Sequence, residues 1–202
     1  MNTRLNEIRI IGAGGMGALF GAILSKGGLQ VTLVDRDFEH VEAIRSHGLH
    51  ISGFAGDRLQ QIVIETEIGA IKRADLVLVQ CKGTSTSEVA ESLRPLAASG
   101  AVIISFQNGL GNEEILSEIL GAENVLGGLT SMAGAKLGAG HIRDFDRAPS
   151  YIGELTGGLS ERAQNIAKCL TNAGLETFAS NDIQAAIWKK LLGNITMSAV
   201  SG

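Results

Sequence analysis

The chain is short of proline and cysteine, with 2 of each among 202 residues. So little proline argues against a linker-rich chain, and the 27 glycines fit many short strand-to-helix turns. Cys81 and Cys169 lie far apart, in neither CxxC nor metal-ligand spacing, which excludes a disulfide scaffold and reads as two reduced core thiols. No apolar run approaches the roughly 18 residues of a membrane span, and the glycine-punctuated N-terminus lacks a signal-peptide pattern. A net charge of −4 and a pI of 5.6 leave no electrostatic footprint for nucleic acid or an anionic membrane. Internal repeats, low-complexity tracts and charge blocks are also lacking. A cytoplasmic protein without nucleic-acid or membrane partners is expected, and a homo-oligomer is compatible with all of this.

What is present is 45% hydrophobic residues and a mean hydropathy of +0.20, ample for a buried core. The β-branched run Ile8-Arg9-Ile10-Ile11 leads directly into Gly12-Ala13-Gly14-Gly15-Met16-Gly17, and an apolar helical pattern follows to Gly27-Gly28. Strand, G-x-G-x-x-G, helix is the order of a dinucleotide-binding unit. Gly12 permits the tight turn, Gly14 lets the backbone approach a pyrophosphate, and Gly17 lets the helix pack close to the strand. The phosphates would sit on the positive end of the helix dipole. A second strand, residues 30–35, ends in Asp35, eighteen residues beyond Gly17.

Strand-like and helix-like segments then alternate to about residue 180. Strands are predicted at 49–54 and 59–65 (as a pair), 75–80, 101–106, 125–130, 136–144, 151–153 and 176–179. Helices are predicted at 38–46, 84–98 (bent or ended near Pro95), 112–120 and 160–172. The alternation predicts an α/β Rossmann-type fold, a doubly wound and mainly parallel sheet over residues 1–179. From 180 to 202 the chain reads as the first helix of something else. Asn181 is placed to cap that helix and Asp182 to favour its first turn. Lys190, Asn194 and Ser198 fall at i, i+4 and i+8 on one polar stripe, while Trp188, Leu192 and Ile195 form an apolar stripe expected to pack on the rest of the chain.

Ligands of open α/β sheets bind beyond the carboxyl ends of the strands. Two predicted loops there carry polar residues: Gln80 to Thr84, with Lys82 in reach of a cofactor phosphate or ribose, and Ser105 to Gly111, with Asn108-Gly109 where a nicotinamide ring should lie.

Taken in order, the glycine loop, Lys82, Asn108-Gly109 and the closing Trp188-Lys189-Lys190-Leu191 with Asn194 resemble the ketopantoate reductases (2-dehydropantoate 2-reductases). The resemblance implies NADPH-dependent reduction of 2-dehydropantoate to pantoate, a step of pantothenate and coenzyme A biosynthesis, on a small keto acid substrate. Lys190 would be the proton donor, Asn194 and Asn108 would bind substrate, and Asn108 would also touch the nicotinamide. Ser198 would join the substrate contacts, although many family members have asparagine there. Lys82 and the glycine loop (Gly12, Ala13, Gly14, Gly15, Met16, Gly17) would bind cofactor, with Gly134 from the glycine-rich stretch beyond Ala133.

Cofactor choice turns on two neighbours. Asp35 is placed to accept from a ribose 2′-OH, as in NAD(H) sites, and Arg36 sits where the family's 2′-phosphate-binding arginine would be; NADP(H) is favoured and NAD(H) is the alternative. The family also has a helical second domain that supplies further substrate contacts. With the sequence ending at Gly202, the expectation is an incomplete helical unit, cofactor binding without appreciable turnover, and a partial enzyme. The alternatives are a reductase of a related 2-keto acid and a catalytically incomplete dinucleotide-binding module.

Overall fold

The computed structural model describes residues 5–200, and side chains up to residue 193. Glycine-punctuated apolar runs build a first βαβ unit: β1 (Glu7–Ile11), α1 (Gly15–Lys26) and β2 (Gln30–Val34). Next come α2 (Phe38–His47), β3 (Leu49–Gly53), β4 (Arg58–Gln60), β5 (Val63–Glu65), β6 (Leu76–Val79) and α3 (Thr86–Ala98). The middle of the chain forms β7 (Val102–Ser105), α4 (Asn112–Leu120), β8 (Val125–Thr130), β9 (Ala133–Gly138) and β10 (His141–Asp146). It closes with β11 (Ser150–Gly153), α5 (Glu161–Asn172), β12 (Thr177–Ala179) and α6 (Ile183–Val200).

Eight strands form one sheet in the order β12-β11-β8-β7-β6-β1-β2-β5. Every pairing is parallel except β8 with β11. This is the α/β Rossmann-type, mainly parallel sheet that the alternation predicts. Its central strands are buried on both faces, and successive residues divide between two cores. Leu76 and Leu78 join Ile8, Ile10, Leu19 and Leu33 on the α1 side. Val77 and Val79 join Leu93, Leu96 and Leu116 on the α3–α4 side. The switch in winding direction falls between β1 and β6, so their carboxyl ends diverge and open a crevice.

Several expectations need correction. The run 59–65 is not one strand. It breaks at Gln61-Ile62, β4 pairing antiparallel with β3 while β5 joins the edge of the main sheet beside β2. Strands β4, β3, β10 and β9 form a second, four-stranded sheet that local pattern does not announce, because it pairs His50 with His141, far apart in the sequence. Helix α3 runs through Pro95 to Ala98. The cap of α6 is Asp182, whose carboxylate accepts from the N–H of Ala185 at 2.9 Å, rather than Asn181.

A further correction concerns the phase of α6. Trp188 and Leu192 are 52% and 59% exposed. Ile183, fully buried against Gly127 and Gly153, faces the sheet instead, with Ile187 and Leu191 one and two turns on. At 3.6 residues per turn, Lys190 falls about 20° from Ile183, on the side away from Ile187, and so shares that inward face. Ile195 lies outside the described side chains. Both cysteines are free thiols, half-buried rather than core, and burial raises the pKa of each. No helix among the described residues is long and apolar enough to cross a membrane.

Candidate functional site

The glycine loop is built by contacts that only hydrogen side chains allow. Gly12 has φ +97°, and an added Cβ would meet the backbone of Cys81 at 2.7 Å. A Cβ at Gly17 would lie 1.8 Å from the carbonyl oxygen of Gly12. At Gly14 it would meet nothing within 4 Å, so that position opens onto free space. The first-turn N–H groups of α1 have no partners within their own helix and point toward the same region.

Two side chains clamp Ala13 from opposite sides. Its N–H donates to Asp35 Oδ2 at 2.7 Å. Its carbonyl lies 2.8 Å from Nε2 of the fully buried His40. Because the N–H of Gly140 donates to His40 Nδ1 at 3.0 Å, the ring proton sits on Nε2 and is donated to Ala13. His40 escaped the sequence reading, although it shares the buried stripe of Val41 and Ile44. Asp35 accepts a second backbone N–H, from Asp37, on its other oxygen at 2.9 Å.

Beside this loop lies a cleft of about 950 Å³ lined by Gly12, Gly14, Asp35, Arg36 and Lys82, together with Lys136 of β9. Arg36 lies over it, 77% exposed, 3.8 Å from Glu88 and donating to Ser85 Oγ at 3.3 Å. Lys136 pairs with Asp37 at 2.5 Å, and together with the backbone N–H of His40 this pair holds Asp37 below the usual carboxylate range. No periodicity or motif marks Lys136 or Ser85, which only the folding of distant segments brings to the cleft. Ala13 and the first turn of α1, with Gly15, Met16 and Gly17, lie behind this surface. Gly134 is placed against Gly15 of the loop rather than on the cleft wall.

A second, smaller cavity at the ends of β7 and β8 gathers Phe106, Asn108, Thr130, Ile187, Lys190 and Leu191. The Lys190 ammonium donates to Asn108 Oδ1 at 3.2 Å and to the carbonyl of Thr130 at 2.6 Å. Burial lowers the Lys190 pKa from the ordinary 10.5, because the apolar wall disfavours the charged form. An ammonium carries three N–H donors, so a third remains to meet a further acceptor. Lys189, the neighbouring lysine, is exposed on another side of the helix. Asn194 and Ser198 lie outside the described side chains. Among the described residues no cluster could hold a metal ion.

A family model described as "Ketopantoate reductase PanE/ApbA" matches residues 8–157. The 2-dehydropantoate 2-reductase of Archaeoglobus fulgidus is 33% identical over 198 residues, 98% of this chain and 64% of its own length. The crystal structure of 2-dehydropantoate 2-reductase from Geobacter metallireducens superposes with a TM-score of 0.86 at 33% identity, over 93% of this chain and 62% of that one. A ternary structure of D-mandelate dehydrogenase with NADH and anilino(oxo)acetate matches with a TM-score of 0.85 at 27% identity, over 91% and 59% of the two chains. This chain therefore spans a little under two thirds of the length of the curated relatives it matches.

Proposed function

The chain belongs to the ketopantoate reductase family, and from that premise we propose that it reduces 2-dehydropantoate to pantoate with NADP(H), Lys190 giving the proton. The observation that carries the reading is the Lys190–Asn108 contact, which joins residues 82 positions apart at the carboxyl edge of the sheet. In this reading residues 1–179 are the dinucleotide-binding domain, and the segment from 180 opens a helical, substrate-side unit that contributes Lys190, Asn194 and Ser198.

The dinucleotide fits the residues present. Open space at Gly14 lets a pyrophosphate meet bare backbone, and Lys82 and Lys136 supply positive charge along the same cleft. When bound, the nicotinamide supplies the hydride. The rest of the chemistry falls to this chain. Lys190 donates a hydrogen bond to the substrate's keto oxygen, stabilises the charge that develops there and transfers the proton. Thr130 and Asn108 hold the ammonium so that its remaining N–H faces that oxygen. Because Asn108 gives its oxygen to Lys190, its side-chain NH₂ is left to hold the substrate without adding charge.

NADP(H) is favoured over NAD(H) because each Asp35 oxygen already accepts a backbone N–H, which holds the carboxylate against the glycine loop. Arg36 is exposed, and its ion pair with Glu88 is of the weak surface kind, worth about 0–1 kcal/mol, which a 2′-phosphate displaces readily. Fluorescence titration should show Arg36→Ala weakening NADPH by about tenfold or more, a lost charge-assisted bond of roughly 1.5–3 kcal/mol, with NADH nearly unchanged. Equal effects on the two cofactors would refute the preference.

One observation favours a second reading, a related 2-keto acid, since D-mandelate dehydrogenase shares this architecture. Assays with 2-dehydropantoate, other branched 2-keto acids and, in the oxidative direction, mandelate separate the two. A clear preference for 2-dehydropantoate is expected. In a protein of the relatives' full length, cofactor binding with no turnover of any acid would favour a dinucleotide-binding module.

A further inference from the structure

Behind Asn108 lies a chain of buried polar side chains that the proposed chemistry does not use. Thr86, Asn112 and Gln107 are 0%, 4% and 9% exposed, and each comes from a different element: the first residue of α3, the first residue of α4 and the loop after β7. Gln107 Nε2 donates to the carbonyl of Cys81 at 3.0 Å and to Thr86 Oγ1 at 2.9 Å. Thr86 Oγ1 donates to Asn112 Oδ1 at 2.8 Å. Asn112 Nδ2 donates in turn to the backbone carbonyl of Asn108, more loosely at 3.4 Å.

The direction of every bond in this chain is determined. The Cys81 carbonyl only accepts, so the NH₂ end of Gln107 must face it. Thr86, having accepted from Gln107, has a single hydroxyl proton, which goes to Asn112 Oδ1. The NH₂ of Asn112 is then left facing Asn108. Beyond that residue, Lys190 only donates, so Asn108 must turn its oxygen toward the lysine. Buried and satisfied, such a chain sets one geometry, because flipping any member brings acceptor against acceptor or donor against donor.

We propose that Gln107, Thr86 and Asn112 are positioning residues, which brace the Asn108 loop against the Cys81–Lys82 loop and so place Asn108 beside Lys190 in one arrangement. The proposal rests on the reading that Lys190 and Asn108 face the substrate. None of the three residues needs to touch substrate or cofactor; each acts through Asn108. The chain ties the wall of the cofactor cleft at Cys81 to the cavity that holds the lysine, so the two halves of the site keep a fixed separation.

The test needs no turnover. In the 202-residue protein, Lys190 is titrated by NMR of ¹³Cε-labelled lysine, its signal assigned by its loss in Lys190→Arg, with thermal stability and NADPH affinity measured alongside. Thr86→Val removes the hydroxyl at nearly constant volume, and Thr86→Ser keeps it. With the brace cut, water reaches Lys190 and its proton affinity rises by about threefold or more as the cause of its depression weakens. Thr86→Ser should restore the parent midpoint. A merely structural role would lower Tm in Thr86→Val while leaving the Lys190 titration unmoved, and that result overturns the proposal. Should Thr86→Val fail to fold, Asn112→Ala cuts the same chain nearer Asn108, and a parent-like Lys190 titration there overturns it equally. Failure of the parent to bind NADPH would instead count against the functional reading, leaving the Lys190 comparison intact.

Discussion

Lys190→Ala is expected to lower kcat for 2-dehydropantoate reduction by about 10²–10⁴-fold, the range for loss of a positioned proton donor. NADPH affinity should change little, because the cofactor cleft is lined by the glycine loop, Arg36, Lys82 and Lys136, not by α6. Lys189→Ala, one residue away and exposed, should behave as the parent. The measurement is steady-state kinetics on protein that turns over 2-dehydropantoate, with a parallel fluorescence titration. Activity of Lys190→Ala within about threefold of the parent would show that another group gives the proton. In the proposed reaction the same lysine would govern the alkaline side of the pH profile. A donor must hold its proton, and burial moves the midpoint for losing it below 10.5. Reduction should therefore fall as pH rises through that lowered value, and a profile flat up to 10.5 contradicts the assignment.

Two substitutions in the glycine loop should separate folding from binding. In Gly17→Ala the new Cβ would fall 1.8 Å from the Gly12 carbonyl oxygen, a backbone atom that cannot swing aside. Either α1 lifts from β1 or the loop opens. A loss of about 3 kcal/mol is expected, the upper end for overpacking, together with loss of NADPH binding of about 100-fold, or roughly 2.7 kcal/mol. In Gly14→Ala the Cβ meets no protein atom, and φ is an ordinary −61°. Its effect on stability should stay under about 1 kcal/mol, the scale of a helix-cap change. NADPH binding should nonetheless weaken by about tenfold or more if the pyrophosphate lies against this backbone. Urea denaturation and cofactor titration of both variants give the comparison. Unchanged NADPH affinity in Gly14→Ala would place the phosphates elsewhere.

The sequence by itself determined the local features of this protein. A continuous apolar run and β-branching marked β6 and β7, because a parallel strand covered on both faces is apolar at nearly every position. The helix predicted at 160–172 is α5 to within one residue, Ser160 proving to be its cap, which accepts from the N–H of Ala163 at 3.1 Å. The glycine loop was legible because its turn at Gly12 and its close helix approach at Gly17 require glycine, with the bare, open face of Gly14 between them. The side of α6 that carries Lys190 was read as a polar stripe apart from the packing, whereas Lys190 shares the inward face of the buried Ile183.

Only the tertiary structure decided what those pieces meet. No pattern in 59–65 says that its halves serve different sheets, because strand pairing is chosen by partners far along the chain. Asp35 looks the same in sequence whether it faces a ribose or the amide of Ala13, and only the fold turns it to the latter. Asn108 and Thr130 become the partners of Lys190 through the docking of Ile183 onto β8 and β11, which aims the inward face of α6 at the ends of β7 and β8. The buried order Gln107, Thr86, Asn112 is likewise invisible in one dimension. Hydrogen-bond direction follows from which donor faces which acceptor, and that is settled only once three separate elements pack together.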